Sequence, residues 1–193
     1  MRRILMSLFA VAALIQYSSA QEGTVLVYGN VGYNSTKPAG DEATNSFSFN
    51  PGVGYQFDDN WTVGANLGLS SESQDGDKFT SFSAGPFVRY SESLSNTFAI
   101  YMQLQGGFVS GKFETEDQAD VKTNGFNAGL FPAVFINVNK SFGLNFSFGG
   151  INYETLKFEG ASEGSSIFDF NFGQTINIGI SKNFGCKKNK QRF

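Results

Sequence analysis

The 193-residue chain carries 14 basic and 17 acidic side chains, no histidine and one cysteine. Without histidine, Ser-His catalytic triads and His-ligated zinc or haem sites are excluded, and the lone Cys186 excludes an internal disulfide. A net charge of −3 supplies no broad basic field, so no nucleic-acid partner is expected.

Met1-Arg2-Arg3 is a basic start, Ile4 to Ile15 is an apolar run, and Ser18-Ser19-Ala20 is a small-residue end. This order predicts a secretory signal peptide over residues 1–20. The run is shorter than the roughly 20 residues a spanning helix needs, and no Cys follows Ala20 to carry a lipid anchor. No later segment is a continuous apolar run of helix-spanning length. Removing Arg2 and Arg3 leaves 12 basic against 17 acidic residues. The 22 Phe and 23 Gly, with few charges, fit an exported β protein over 21–184, followed by a basic tail over 185–193.

Strand one is expected over about 24–34, with Val25, Val27, Val31 and Tyr33 on its apolar row. A polar, turn-rich stretch follows to Thr44. From Phe47 the alternation is strict. Phe47, Phe49, Pro51, Val53, Tyr55 and Phe57 interleave with Ser48, Asn50, Gly52, Gly54 and Gln56. Asp58-Asp59-Asn60 makes a tight turn, and Trp61, Val63, Ala65, Leu67 and Leu69 resume the pattern. Successive strand residues point to opposite faces, so this hairpin has one greasy face and one small, polar, glycine-rich face. A soluble sandwich would turn its polar face to water. Here that face is nearly free of charge, and aromatic residues mark the ends of the apolar row, as in a membrane barrel.

Five more strands follow. Residues 79–90 carry Phe82, Ala84, Pro86, Val88 and Tyr90; 97–110 carry Phe98, Ile100, Met102, Leu104 and Phe108. Residues 124–138 carry Phe126 to Val138, and 141–153 carry Phe142, Leu144, Phe146 and Phe148. Residues 166–184 carry Phe168, Phe170, Phe172, Ile176, Ile178, Ile180 and Phe184. Each is long enough for the roughly 9–11 residues of a tilted membrane strand. Connections after strands one, three, five and seven read as long acidic loops, notably 71–78 and 111–123; the others are short. Short periplasmic turns and longer extracellular loops are the outer-membrane pattern. The fold class expected is therefore all-β: a transmembrane eight-stranded antiparallel up-and-down β-barrel with an N-terminal signal peptide.

The segments Asn50-Pro51-Gly52-Val53-Gly54-Tyr55, Gly64-Ala65-Asn66-Leu67-Gly68, Gly85-Pro86-Phe87-Val88-Arg89-Tyr90 and Ile178-Gly179-Ile180-Ser181-Lys182-Asn183-Phe184 resemble the small outer-membrane β-barrel domain, the porin-family barrels of OmpA and OmpX type. The resemblance implies that architecture and an outer-membrane location, with outer-membrane lipid and the barrel-assembly machinery as partners and a monomeric state. Function is not implied, because such folds host many roles. Members usually end on the aromatic residue of the last strand. Here residues 185–192 intervene before Phe193, so Phe184 and Phe193 are both candidates for the terminal assembly signal.

No catalytic residue, metal ligand or cofactor is expected, and an enzymatic role is not. Arg89 is the basic residue clearly on a lumen row, either a selectivity charge or a structural Arg paired with Asp58, Asp59 or Glu92; Asp169 is a lumen charge near the other end. Tyr55, Trp61, Tyr90 and Phe184 are the interfacial aromatics expected to serve assembly. Glycines 52, 54, 64, 68, 85, 107, 129, 143, 149, 173 and 179 share lumen rows with Phe87, Tyr101, Phe131 and Phe135, so rings packed over glycines should fill the narrow interior. Pro51, Pro86 and Pro132 lie mid-strand on lipid-facing rows, where a proline removes a ladder donor; bulges would accommodate them, or they mark weakened seams. The acidic loops lack ordered calcium-loop spacing and read as solvated surface. The functional expectation is a structural or surface-interaction barrel, meeting an unidentified extracellular ligand through its loops. The alternatives are a narrow channel for small solutes or ions, and a binder of lipid or a small hydrophobic ligand in the lumen or at a lateral gate.

The alternation ends at Phe184, so truncation after that residue should leave a barrel that assembles, and Phe184→Ala should impair insertion. Heat-dependent gel migration of the two variants decides this: assembly lost with residues 185–193 but kept in Phe184→Ala would move the terminal signal to Phe193.

Overall fold

The computed structural model describes residues 23–40, 42–115, 118–139 and 141–185. The expected signal peptide, Cys186 and Phe193 lie outside them. Eight strands run in chain order: β1 (Thr24–Thr36), β2 (Thr44–Gln56), β3 (Trp61–Gln74), β4 (Asp77–Ser93), β5 (Phe98–Thr115), β6 (Gln118–Asn139), β7 (Phe142–Phe158) and β8 (Ser165–Phe184). Each pairs antiparallel with the next, and β8 returns to β1 to close the barrel.

Period-two alternation decides which side chain faces which way. The outward residues Val53, Val63, Leu67, Leu104 and Phe108 keep 42–54% of their surface exposed, while the inward Leu26 and Phe87 keep 5% and 4%. An apolar row left this bare in water would be unstable; hydrocarbon is the medium that covers it. The outward row of β5 is apolar from Phe98 to Phe108, then turns to Ser110, Lys112 and Glu114. Those ten steps, at about 3.4 Å each and tilted about 40°, rise about 26 Å. That matches the apolar band of about 25 Å on outer-membrane barrels.

Beyond this band the structure corrects the expected loops. Residues 71–78 are mostly strand. Gln74 pairs with Asp77 across a two-residue Asp75-Gly76 turn, with φ of 49° and 83°. Positive φ at both positions is the type I′ geometry, whose twist matches that of the flanking strands. The charged stretch 111–123 likewise continues the β5–β6 ladder, with Lys112 opposite Lys122 and Phe113 opposite Val121. Polar composition reads as loop, but a ladder needs only backbone partners once a tight turn sets its register. One end of the barrel therefore bears projecting hairpins, and the other bears short turns.

Each mid-strand proline coincides with a skipped step in one neighbouring ladder. The β2–β3 register lacks Asn50 and Pro51, β4–β5 lacks Gly85 and Pro86, and β6–β7 lacks Phe131 and Pro132. The missing N–H explains the skip. Only at Pro132 does the register also shift, so a bulge accompanies one proline rather than all three. Opposite it, β7 carries one extra residue within Phe148–Gly150, with Gly149 at φ 84°. This bulge reverses facing along β7: Phe142, Leu144 and Phe146 share the outward row below it, Ile151 and Tyr153 above it. Gly149 pairs with Phe172 and is buried, a Cβ there striking Asn171, while Gly173, at φ 77°, has no atom within 4 Å of where a Cβ would stand and so lacks the ring packing expected of it.

The eight ladders are unequal. β1 pairs with β2 along all its residues, from Thr24–Gln56 to Thr36–Thr44. Against β8 it pairs only from Val25–Phe184 to Gly29–Ile180, five steps at the short-turn end.

Gly64 illustrates the packing limit inside. A Cβ there would strike the Val53 carbonyl oxygen and lie 2.6 Å from Gly54 Cα and 2.7 Å from a Phe87 ring carbon. Overpacking costs about 1–3 kcal/mol, and here main chain must move as well. Gly64→Val should lower the folded, heat-modifiable fraction in detergent, while Ala39→Val in the exposed β1–β2 connection should not; equal folded fractions would refute the packing account.

Candidate functional site

The inward row of β4 carries Arg89 near the short-turn end, in register with Thr62 on β3 and Gln103 on β5. Arg89 is 5% exposed. Its Nε and Nη2 donate to Gln103 Oε1 at 3.0 and 2.6 Å. Gln103 Nε2 donates to Tyr28 Oη at 3.1 Å and to Gln105 Oε1 at 2.8 Å, and Asn66 Nδ2 donates to the same Gln105 oxygen at 3.1 Å. The guanidinium carbon sits 4.1 Å from the Tyr101 ring centroid, 4.7 Å from that of Tyr28 and 5.6 Å from that of Phe87. Such faces attract a cation, more strongly where water is excluded.

Glycines make room for these rings. A Cβ at Gly52 would enter the Tyr28 ring, and one at Gly54 would lie 2.8 Å from Phe87. Gly129 and Gly143 stand in the same relation to Phe131 and Phe135. The ring-over-glycine packing expected of the lumen is thus present at these positions. With Leu26, Thr62 and Ser181 also buried, side chains from strands around the barrel fill the cross-section at this level.

The partner expected for Arg89 is a correction. Asp58 caps the turn by accepting from the Asn60 N–H, and Glu92 accepts from Asn60 Nδ2 at 3.0 Å and from Tyr90 Oη at 3.2 Å. Among the described residues no carboxylate lies within ion-pair distance of Arg89. An amide oxygen and aromatic faces hold a full positive charge that burial makes costly to leave without an anion. Asp169 stands toward the hairpin end, opposite Asn152, and accepts from Asn171 Nδ2 at 2.6 Å; it does not join Arg89.

Above Arg89 lies a polar cavity of about 290 Å³. Asn30, Asn50, Asn66, Gln105, Asn127 and Asn177 supply amides to its wall, and among the described residues Arg89 is the one cation or carboxylate lining it. Asn50 Nδ2 donates to Asn30 Oδ1 at 2.8 Å. Toward the hairpin end a second aromatic layer faces inward. Phe79 and Phe113 rings lie 4.3 Å apart, with Phe158 6.0 Å from Phe113. Phe113 and Phe158 sit in stretches whose polarity reads as loop, and Phe79 at the first residue of an expected strand, so alternation was the only available signal. Tyr28 was missed for a simpler reason: it lies on the even-numbered row of β1, and only the odd row stands out as apolar.

The four aromatics expected at the interface, Tyr55, Trp61, Tyr90 and Phe184, lie toward the short-turn end. Trp61 and Tyr90 are register partners, with centroids 5.0 Å apart and ring planes at 64°. Tyr55 and Phe184 are about half exposed on the same outward surface, Phe184 opposite Val25. Outside the apolar band, Lys112 Nζ lies 2.8 Å from Asp120 Oδ2 and 2.6 Å from Glu114 Oε1. The hydrogen bonds this exposed amine donates to Asp120 and then Glu114 push its pKa up to about 12.

The fold has known counterparts. The structure of Neisserial surface protein A superposes with a TM-score of 0.58 at 13% identity, covering 84% of this chain and 98% of that one. Ail, the attachment invasion locus protein of Yersinia pestis, gives 0.48 at 14% identity, covering 84% and 99%. At such identities the likeness concerns fold alone. No curated protein matches the sequence. A family model described as "Outer membrane protein beta-barrel domain" matches residues 4–184. This chain, a closed eight-stranded barrel with an apolar belt, belongs to that outer-membrane β-barrel family.

Proposed function

We propose that this outer-membrane barrel is a non-enzymatic, monomeric surface protein whose working part is its set of projecting hairpins. One observation carries the reading: the β3–β4, β5–β6 and β7–β8 ladders run past the apolar band as paired strands, over a lumen filled at the Arg89 layer. A channel protein needs a clear path, and the Tyr28, Phe87, Arg89 and Tyr101 cluster stands across it. Strand pairing makes the projecting hairpins a firm platform rather than free loops. Acidic residues outnumber lysines in each of the stretches 35–44, 71–78, 111–123 and 154–165. That charge suits a basic partner and speeds its approach at low salt. Outer-membrane orientation puts the short turns in the periplasm and the hairpins outside. Outer-membrane lipid surrounds the barrel, and the assembly machinery inserts it.

Purified protein in planar bilayers should give no steady conductance; a steady solute-sized conductance would overturn the reading in favour of a narrow channel. Cysteine introduced at Ala119 in a Cys186→Ser background should react with an impermeant maleimide on intact cells, whereas labelling confined to Asn139→Cys would place the hairpins in the periplasm.

A further inference from the structure

We propose that the β1–β8 seam is a lateral binding site for a long-chain fatty acid, its acyl chain lying in an outer groove and its carboxylate in the lumen facing Arg89. The ladder between these strands stops at Gly29–Ile180, although β1 continues to Thr36 and β8 extends from there to Ser165. Extending the same register would place Val31 opposite Ile178, yet neither has a partner across the seam. On the outer face at this point lies an apolar groove of about 430 Å³, within the roughly 300–1,000 Å³ typical of small-molecule sites. Val27, Val31, Phe49, Pro51, Ile178 and Ile180 supply its apolar walls, and Lys182 also lines it.

The groove and the polar cavity share Tyr28, Gly29, Asn30, Gly179 and Ile180. Where they meet, Gly29 and Gly179 present only backbone: a Cβ on Gly179 would stand 3.0 Å from the Gly29 carbonyl oxygen. The wall there is one main chain thick and lacks ladder hydrogen bonds above it. Unpaired strand edges are costly in hydrocarbon, so a ligand bringing polar atoms to this gap relieves the barrel as well as itself.

The occupant follows from the two compartments. The groove is continuous with the lipid-facing surface, so an alkyl chain is the material available to fill it. The cavity offers amide donors and a single cation with no acid in its wall, which selects an anionic head over a cationic one. Arg89 lies over Tyr28, and Tyr28 and Gly29 both belong to the wall the two compartments share, so the charge stands on the lumen side of that wall. One chain with a small carboxylate head matches a single apolar groove backed by a polar cavity across one thickness of main chain.

The site is tested with radiolabelled palmitate and hexadecanol on the full-length barrel in nanodiscs. Palmitate should bind saturably. Arg89→Gln should weaken it at least about ten-fold, a charge-assisted contact being worth about 1.5–3 kcal/mol, and leave hexadecanol nearly unchanged. In a second variant, Val31→Cys/Ile178→Cys with Cys186→Ser, a short bifunctional thiol reagent closes the seam. Closure should abolish binding of both probes, and the uncrosslinked variant should retain it. Absence of saturable palmitate binding by the unmodified barrel would overturn the proposal, and so would palmitate binding that survives closure. Equal loss of both probes in a heat-modifiable Arg89→Gln would remove Arg89 from the site. If that variant does not fold, the crosslinked pair decides alone. None of these results bears on the hairpin platform, which the conductance and labelling experiments read separately.

Discussion

Backbone hydrogen bonding in hydrocarbon is the constraint on which this structure depends. A strand edge inside a bilayer finds no water, so every ladder must find a neighbour, and only a closed sheet supplies one for each strand. Closure explains the even strand count, the return of β8 to β1 and the survival of strand pairing through three prolines. At Pro51 and Pro86 the ladder skips and resumes in the same register on the far side. At Pro132 it resumes one residue out of step, and β7 absorbs the difference with the glycines at 149 and 150. The β1–β8 seam is where closure is thinnest, because only its lower end is laddered.

The interior answers a different demand. Eight strands enclose just enough room for side chains, and the sequence fills it by trading glycine against aromatic rings. Tyr28 over Gly52 and Phe87 over Gly54 and Gly64 are the main examples. Arg89 is built into this packing rather than into an ion pair. Gln103 fixes the guanidinium in plane, Tyr101 and Tyr28 cover it, and the amide chain through Gln105 to Asn66 ties β4, β5 and β3 together. The result is a lumen with a firm base, a positive point and an amide-lined chamber above it.

Outside the apolar belt the demand changes again. Water satisfies edges there, so nothing forces the strands to continue, yet β5 and β6 run on to Thr115 and Gln118. Ring contacts among Phe79, Phe113 and Phe158 link these extensions, with Phe113 and Phe158 still 41% and 45% exposed, and the Lys112–Glu114–Asp120 cluster braces the outer side. A platform of this kind holds surface charges at set spacing, which free loops do not.

Alternation is a local property, repeating every two residues, and so the sequence alone determined strand number, the apolar belt and the facing of every strand stretch without a bulge. Phe47 to Leu69 reads in the structure as it reads in one dimension, and the pairing of large lumen rings with glycines was equally legible at Phe87, Phe131 and Phe135. Arg89 could be placed inside by parity alone. Its partner could not, because Gln103 and Tyr28 lie on other strands and reach it only through register. The same holds for the hairpins, where composition favoured loops and a two-residue Asp75-Gly76 turn decided for strands. The reversal of facing along β7 follows from a mismatch with β6 that neither strand shows by itself. The open half of the seam is the extreme case: whether the first strand meets the last along its whole length depends on the registers accumulated around the entire barrel, and only the closed tertiary structure adds them up.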